Sequence, residues 1–281
     1  MSDVASPCES LAEILRLERR DEAEFAVCFE DFWGESQPGD VLARAALAAS
    51  ESCGELPLAS LHASFLRSVP PGRTLRLRVE RLTDEEEGAR RAVRVEADAV
   101  LCQVVASFAP AAEGPAYQDV APNAAIAPPE RLPSTLEQAR KEGWTEYARG
   151  PFEFRRASPL WPDPARGESC AHLEWMRPRE ALPRAPRLRM AALVFLAAFY
   201  PHWPFERRIG RGFAVERFRL LDHALWLHGG VLEEDWLLLE ATSEFGGGGR
   251  ALARRRIFSR DGRLVASAAL SALVAEAPVT P

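Results

Sequence analysis

The sequence predicts an α+β protein built from two copies of one unit, each an antiparallel sheet wrapped around a single helix. Three observations carry this expectation. Two runs of four strand-like segments each follow one apolar helix. Short stretches of the first half resemble stretches of the second at nearly the same offset. The second helix is apolar on every side from Met190 to Tyr200, so most of its surface must be enclosed.

Taken in order, LAEILRLERR has helical spacing and EAEFAVCFE, residues 22–30, alternates like a strand. Pro38-Gly39-Asp40 marks a turn and a helix start, and VLARAALAASES continues as an Ala-rich helix to Gly54. Four strands follow in LASLHASFLRS, TLRLRVERL, ARRAVRVEA and VLCQVVASF, with turns near Asp84–Gly88 and Glu96–Asp98. Residues 110–147 then change character. APAAEGPAYQDVAPNAAIAPPERLPS is rich in Pro and Ala, has no sustained period, and reads as a linker packed on the surface.

The second half repeats the plan. FEFRRAS and CAHLEWMRP are extended, and PRLRMAALVFLAAFYP is helical, with Pro186 near its start and Pro201 ending it. The next four strands are FAVERFRLLDHALWLH, DWLLLEATSEF, RALARRRIFS and RLVASAALSALV. LHASFLR (61–67) resembles DHALWLH (222–228), which makes His62 and His223 repeat mates, and VVAS (104–107) resembles LVAS (264–267). One antiparallel sheet around one helix, made twice, is a double hotdog. The expected organisation is a repeat over residues 1–110, a linker over 111–147 and a repeat over 148–281.

With 281 residues, 47% of them hydrophobic, the chain can build a substantial core. A net charge of -6 and a pI near 5.6 argue against a nucleic-acid partner. No apolar run approaches the roughly 18 residues of a membrane span. MSDVASPCES lacks the pattern of a secretory signal. Cys8, Cys28, Cys53, Cys102 and Cys170 form no C-x-x-C pair, so neither a disulfide framework nor a metal site is expected, and the cytoplasm is the expected compartment. No cofactor is called for.

Three early segments, LHASFLR, ARRAVRV and VVASF, resemble the N-terminal half of type II (TesB-like) acyl-CoA thioesterases. DHALWLH, DWLLLEATS and GGGGRALARRRIFSRDGRLVAS resemble their C-terminal half. The resemblance covers most of the chain outside the linker and termini. It implies a double hotdog that binds fatty acyl thioesters, acyl-CoA or acyl-carrier, and that associates further into a homo-oligomer in some relatives. It also implies that an Asp, a Thr and a Gln of the C-terminal half activate water against the thioester carbonyl. Carried over residue by residue, the Asp falls on Ala198 of the second helix, the Thr on Leu220 two residues before Asp222-His223, and the Gln on Leu270 after Val265-Ala266-Ser267. All three are apolar, so hydrolysis is expected to be weak or lost. An active thioesterase with a substitute base, or a non-hydrolytic biosynthetic enzyme on the same fold, are the alternatives.

The candidate substrate-binding residues are Gly39, Asp40, His62, Phe195, Phe199 and Asp222. Asp40 stands where the family usually has a second glycine. It reads as a helix N-cap, and also as the one candidate for a substitute base. Asp222 and His223 are adjacent on a strand and face opposite ways, so they form no acid–base dyad. His62 is either a histidine satisfied within the sheet or a thioester contact. Gly246–Gly249 lacks the Lys-Ser/Thr of a phosphate loop and reads as a hairpin after Glu244. Arg250, Arg254, Arg255, Arg256, Arg260 and Arg263 form a basic run that is either a solvated strand face or a contact for the CoA phosphates.

Overall fold

A computed structural model describes residues 10–29, 36–141, 151–159, 162, 168–210, 213–229 and 236–275. Cys8, Glu30, Asp235 and the expected boundary at 147/148 lie outside the described residues. A single 12-stranded sheet is wrapped around two helices. In the first half it contains β1 (Glu18–Arg19), β2 (Glu24–Cys28), β3 (Leu58–Phe65), β4 (Thr74–Glu85), β5 (Gly88–Glu96) and β6 (Val100–Phe108). In the second it contains β7 (Phe152–Arg156), β8 (His172–Pro178), β9 (Arg219–Leu227), β10 (Leu237–Gly247), β11 (Arg250–Ser259) and β12 (Leu264–Leu273). The helices are α1 (Leu11–Ile14), α2 (Pro38–Ser50), α3 (Thr135–Lys141), α4 (Pro186–Ala197) and α5 (Trp203–Ile209).

From each outer region toward the middle, the order is β2-β4-β5-β6-β3 in one half and β8-β10-β11-β12-β9 in the other. The same chain order therefore gives the same spatial order twice. The halves join where β3 pairs antiparallel with β9, from Ser60 opposite Trp226 to Ser64 opposite Asp222. This joint removes two sheet edges that would otherwise offer unpaired backbone groups. It also relates the halves by a pseudo-two-fold axis. These features make the protein an α+β double hotdog, as the sequence predicts.

The residue register of the repeat differs from the one suggested by sequence similarity. Equating His62 with His223 places exposed His62 over a side chain that is only 1% exposed on the helix-facing side. In the β3–β9 ladder His223 is opposite Ala63, and paired residues share a face while strand neighbours alternate, so His62 and His223 point to opposite faces and the repeat does not superpose them. The second match keeps its face, since Ala106 and Ala266 are both fully buried in the main core. Strand order carries the duplication, and the His62–His223 match does not.

Local differences have local causes. LAEILRLERR gives only the four residues of α1, held by a reciprocal Ser10–Glu13 capping box, because Glu18 and Arg19 pair with β2 instead. Helix α4 stops at Ala197, four residues before Pro201, and Tyr200 takes a left-handed φ of 43°. A non-glycine residue there is strained by roughly 1–3 kcal/mol. Buried Arg255 compensates by donating to the carbonyls of Ala197, Phe199 and Tyr200 at 3.1, 2.7 and 2.6 Å. The start of FAVERFRLLDHALWLH forms a 3-10 turn at Val215–Arg217, and the strand begins only at Arg219. After β6 the chain runs over the outer face of the C-terminal sheet. Trp175 donates to the Ala127 carbonyl at 3.0 Å, and Val120, Ile126 and Leu132 pack with Trp175, Trp236 and Phe258.

Candidate functional site

Helices α2 and α4 pack antiparallel beneath the β3–β9 joint. At one end Gly39 of α2 meets Phe195 of α4 so closely that an added Cβ would lie 2.4 Å from the Phe195 carbonyl oxygen. At the other, Arg187 of α4 donates to Glu51 at 3.2 Å and to the Gly54 carbonyl at 2.7 Å, just beyond α2. The start of α2 therefore meets the end of α4, and the start of α4 meets the end of α2.

Ala198 lies at the first end and is fully buried in the main core. Leu220 and Leu270 are also buried, but in a separate apolar cluster with Phe205, Ala251, Ala253 and Ala272. Phe65, Phe213 and Phe218 pack against that cluster. The space left beside Leu220 is a cavity of about 90 Å³, well below the roughly 300 Å³ at which small-molecule pockets begin.

The polar groups around this cavity come from residues that sequence reasoning missed. Ser36, Gln37 and His202 line it. The Ser36 hydroxyl is buried with no hydrogen-bond partner among the described residues. The Gln37 side-chain oxygen accepts from the strained Tyr200 amide at 3.4 Å, linking the halves. Burial pushes His202 down to about 3, helped by the charges of Arg255 and His172, so its ring is neutral at ordinary pH. Its Nε2 lies 3.9 Å from Glu206, whose carboxyl is raised by burial. His202 follows Pro201, which reads as the end of a helix. The WPFERRI pattern beyond it was the available signal for α5, with Pro early and Arg207 and Arg208 in the last turn.

His223 faces the same interior, opposite Ala63 and Leu270. Burial and then Arg255 push it down to about 3, with the Ala197 carbonyl opposing the shift. Asp40 lies in the first turn of α2, while the N-cap position belongs to Gln37. Its carboxylate is fully buried and takes a two-point contact from Arg44, with Nε at 2.7 Å and Nη2 at 3.3 Å. An acid at this position also favours the helix dipole.

A family model described as the acyl-CoA thioesterase C-terminal domain matches residues 126–274, and its N-terminal counterpart matches residues 36–109. The chain belongs to the acyl-CoA thioesterase family. It is similar to acyl-CoA thioesterase 2 of Haemophilus influenzae, 26% identical over 303 aligned positions that cover 98% of this chain and 99% of that protein. Among solved structures it resembles the acyl-CoA thioesterase II TesB2 of Mycobacterium marinum, with a TM-score of 0.76 and 26% identity over 96% of this chain and 100% of that one. A hot dog fold protein of unknown function from Alicyclobacillus acidocaldarius shares the fold at a TM-score of 0.78 and 15% identity, covering 96% of this chain and 98% of its own.

Against this family background, the remaining sequence candidates divide by sheet face. Phe195 and Phe199 are buried among the helices, where their rings meet edge-on at 5.6 Å and both contact Phe152. His62 and Asp222 lie on the outer face, away from α2 and α4. His62 stands edge-on to Trp226 at 5.4 Å, and Asp222 accepts from Ser64 at 3.1 Å and Ser271 at 2.7 Å. The structure thus brings Gly39, Asp40, Phe195 and Phe199 to the helix pair and leaves His62 and Asp222 outside it.

The arginine run divides as well. Arg255 is buried, while Arg254, Arg256 and Arg260 pair with Glu244, Glu240 and Glu130 at 2.9, 3.1 and 2.7 Å. Gly248 and Gly249 take φ of 60° and 74° in the β10–β11 turn, as a tight hairpin demands. Among the described residues no group of three His, Cys, Asp or Glu converges on a metal position, and no helix is long and apolar enough to cross a membrane.

Proposed function

We propose that this chain binds fatty acyl thioesters, acyl-CoA or the carrier-bound equivalent, and hydrolyses them slowly. The observation that supports this reading is the packed, apolar burial of Ala198, Leu220 and Leu270, the positions on which the family's Asp, Thr and Gln fall. Ala198 supplies no base, Leu220 no hydroxyl and Leu270 no amide. A general base contributes about a hundred- to ten-thousand-fold. A lost donor to the developing oxyanion costs roughly a further hundredfold or more. Such losses overlap, so their product is an upper bound.

The test is steady-state release of CoA thiol from a panel of acyl-CoAs, with binding followed by calorimetry. Binding with slow release is expected, and turnover near the common enzymatic rate of about ten per second overturns the reading. The triple variant Ala198→Asp, Leu220→Thr, Leu270→Gln is expected to raise the rate. His202 favours a second reading for any residual activity, because its neutral ring borders the small cavity with Glu206 behind it. In that case His202→Phe abolishes the residual release while acyl-CoA still binds.

A further inference from the structure

The pseudo-two-fold axis that relates the halves also relates the two ends of the helix pair. It carries the start of α2, the end of β3 and the start of β9 onto the start of α4, the end of β9 and the start of β3. The first end is filled. The second holds a cavity of about 470 Å³, within the roughly 300–1,000 Å³ of small-molecule sites. Leu56, Leu58, Phe108, Met190 and Leu227 give it apolar walls, and the small Ala59 lines it beside them. At the first end the corresponding space is about 90 Å³.

We propose that this second cavity, and not the cleft of the family's catalytic positions, holds the acyl chain. The inference rests on the acyl-binding reading above and adds where the chain sits. The fit is one of size and polarity: an extended hydrocarbon needs a dry wall on most sides, and each buried methylene adds to the affinity. Arg187 stands at the rim with its side chain 36% exposed, a cation of the sign needed by the phosphates of CoA or phosphopantetheine. Glu51 at 3.2 Å and Glu55 at 3.9 Å offset part of that charge, so the hydrocarbon and not the head group carries the affinity.

The sequence offers a built-in probe. It contains three methionines, Met1, Met176 and Met190, and Met190 lines this cavity whereas Met176 does not. The experiment titrates the methyl-13C-methionine-labelled full chain with S-decyl-CoA, a thioether that cannot be hydrolysed, and follows the same titration by calorimetry. The Met190 methyl resonance is expected to shift and saturate with the calorimetric isotherm, and the Met176 resonance to stay. Ala59→Trp, which places an indole in the cavity, is expected to weaken binding at least tenfold. Should that variant fail to fold, the titration of the native chain decides alone. Calorimetric binding with an unmoved Met190, or with unchanged affinity in folded Ala59→Trp, overturns the cavity assignment and leaves acyl binding standing. No heat of binding overturns both.

Discussion

The two halves share one strand order but close their helix–strand connections differently. Between α2 and β3 lie only residues 51–57, whereas between α4 and β9 lie residues 198–218, which include α5. The long connection brings Phe205, Phe213 and Phe218 over Leu220 and Leu270 and fills one end of the helix pair. The short one brings no comparable plug, and among the described residues the other end stays open. Duplication thus made two equivalent places, and the length and aromatic content of one loop decide which of them has room for a ligand.

The same contrast appears where each half anchors the end of its helix. In the N-terminal half, buried Arg91 donates to the Ser52 carbonyl at 2.8 Å just past α2 and pairs with half-exposed Asp84 at 2.5 Å. In the C-terminal half, Arg255 holds three carbonyls at the end of α4 with its charge fully buried, and burial lowers it to about 9. Arg255→Ala leaves three interior carbonyls short of a donor and a cavity behind them. It is expected to cost about 3–5 kcal/mol in urea unfolding, since each orphaned group carries roughly 1–3 kcal/mol less whatever partners it regains. Arg91→Ala is expected to cost about half as much, because water reaches Asp84. Equal losses in the two variants would mean that the anchors are equivalent and would remove this difference between the halves.

Much of the fold was legible because strands and enclosed helices write their periods directly into the sequence. The alternation in TLRLRVERL shows again in the buried and exposed sides of β4, and the all-apolar run from Met190 to Tyr200 is buried throughout. Register was not legible, because a motif as short as HA recurs by composition and carries no mark of which face it serves. The site was legible only as a set of losses at Ala198, Leu220 and Leu270. What surrounds those positions is set by long-range packing: Ser36 and Gln37 come from before α2, His202 from beyond Pro201, and Arg255 from β11, more than fifty residues along the chain.

Acid should separate the halves next. The buried histidines His172 and His223 and the largely buried His202 all lie in the C-terminal half and are pushed down to about 4, 3 and 3 from an ordinary 6.5. In the N-terminal half His62 is exposed. The folded chain therefore binds fewer protons than the unfolded chain below pH 6.5, and stability present above that value is lost as pH falls toward 4. Each histidine is expected to cost about 2 kcal/mol by pH 5, at about 1.4 kcal/mol per pH unit. Glu206, raised by burial, takes up a proton in the folded state and offsets part of the loss. Unfolding free energies measured from pH 7 to 5 should fall, and His223→Leu should flatten the slope by one histidine's share. An unchanged slope in that variant would mean that His223 titrates normally in the folded chain.

The smallest effect is expected at the other member of the sequence pair. His62 is opposite Ala224 in the β3–β9 ladder, and its ring lies on the outer face against Trp226, which is itself 40% exposed. His62→Ala forfeits one edge-on ring contact, worth about 0.5–1.5 kcal/mol where buried and less at a wet surface. It should therefore shift stability by less than about 1 kcal/mol and leave S-decyl-CoA affinity within twofold. The helices and both end cavities lie on the other side of the sheet, so no packing path requires this ring. A tenfold loss of affinity in His62→Ala, with stability kept, would instead place the ligand on the outer face. It would lie there in the open groove that His62 shares with Ser64, Gln103, Asp222 and Ser271, and the contrast between a filled and an open helix end would then have no bearing on binding.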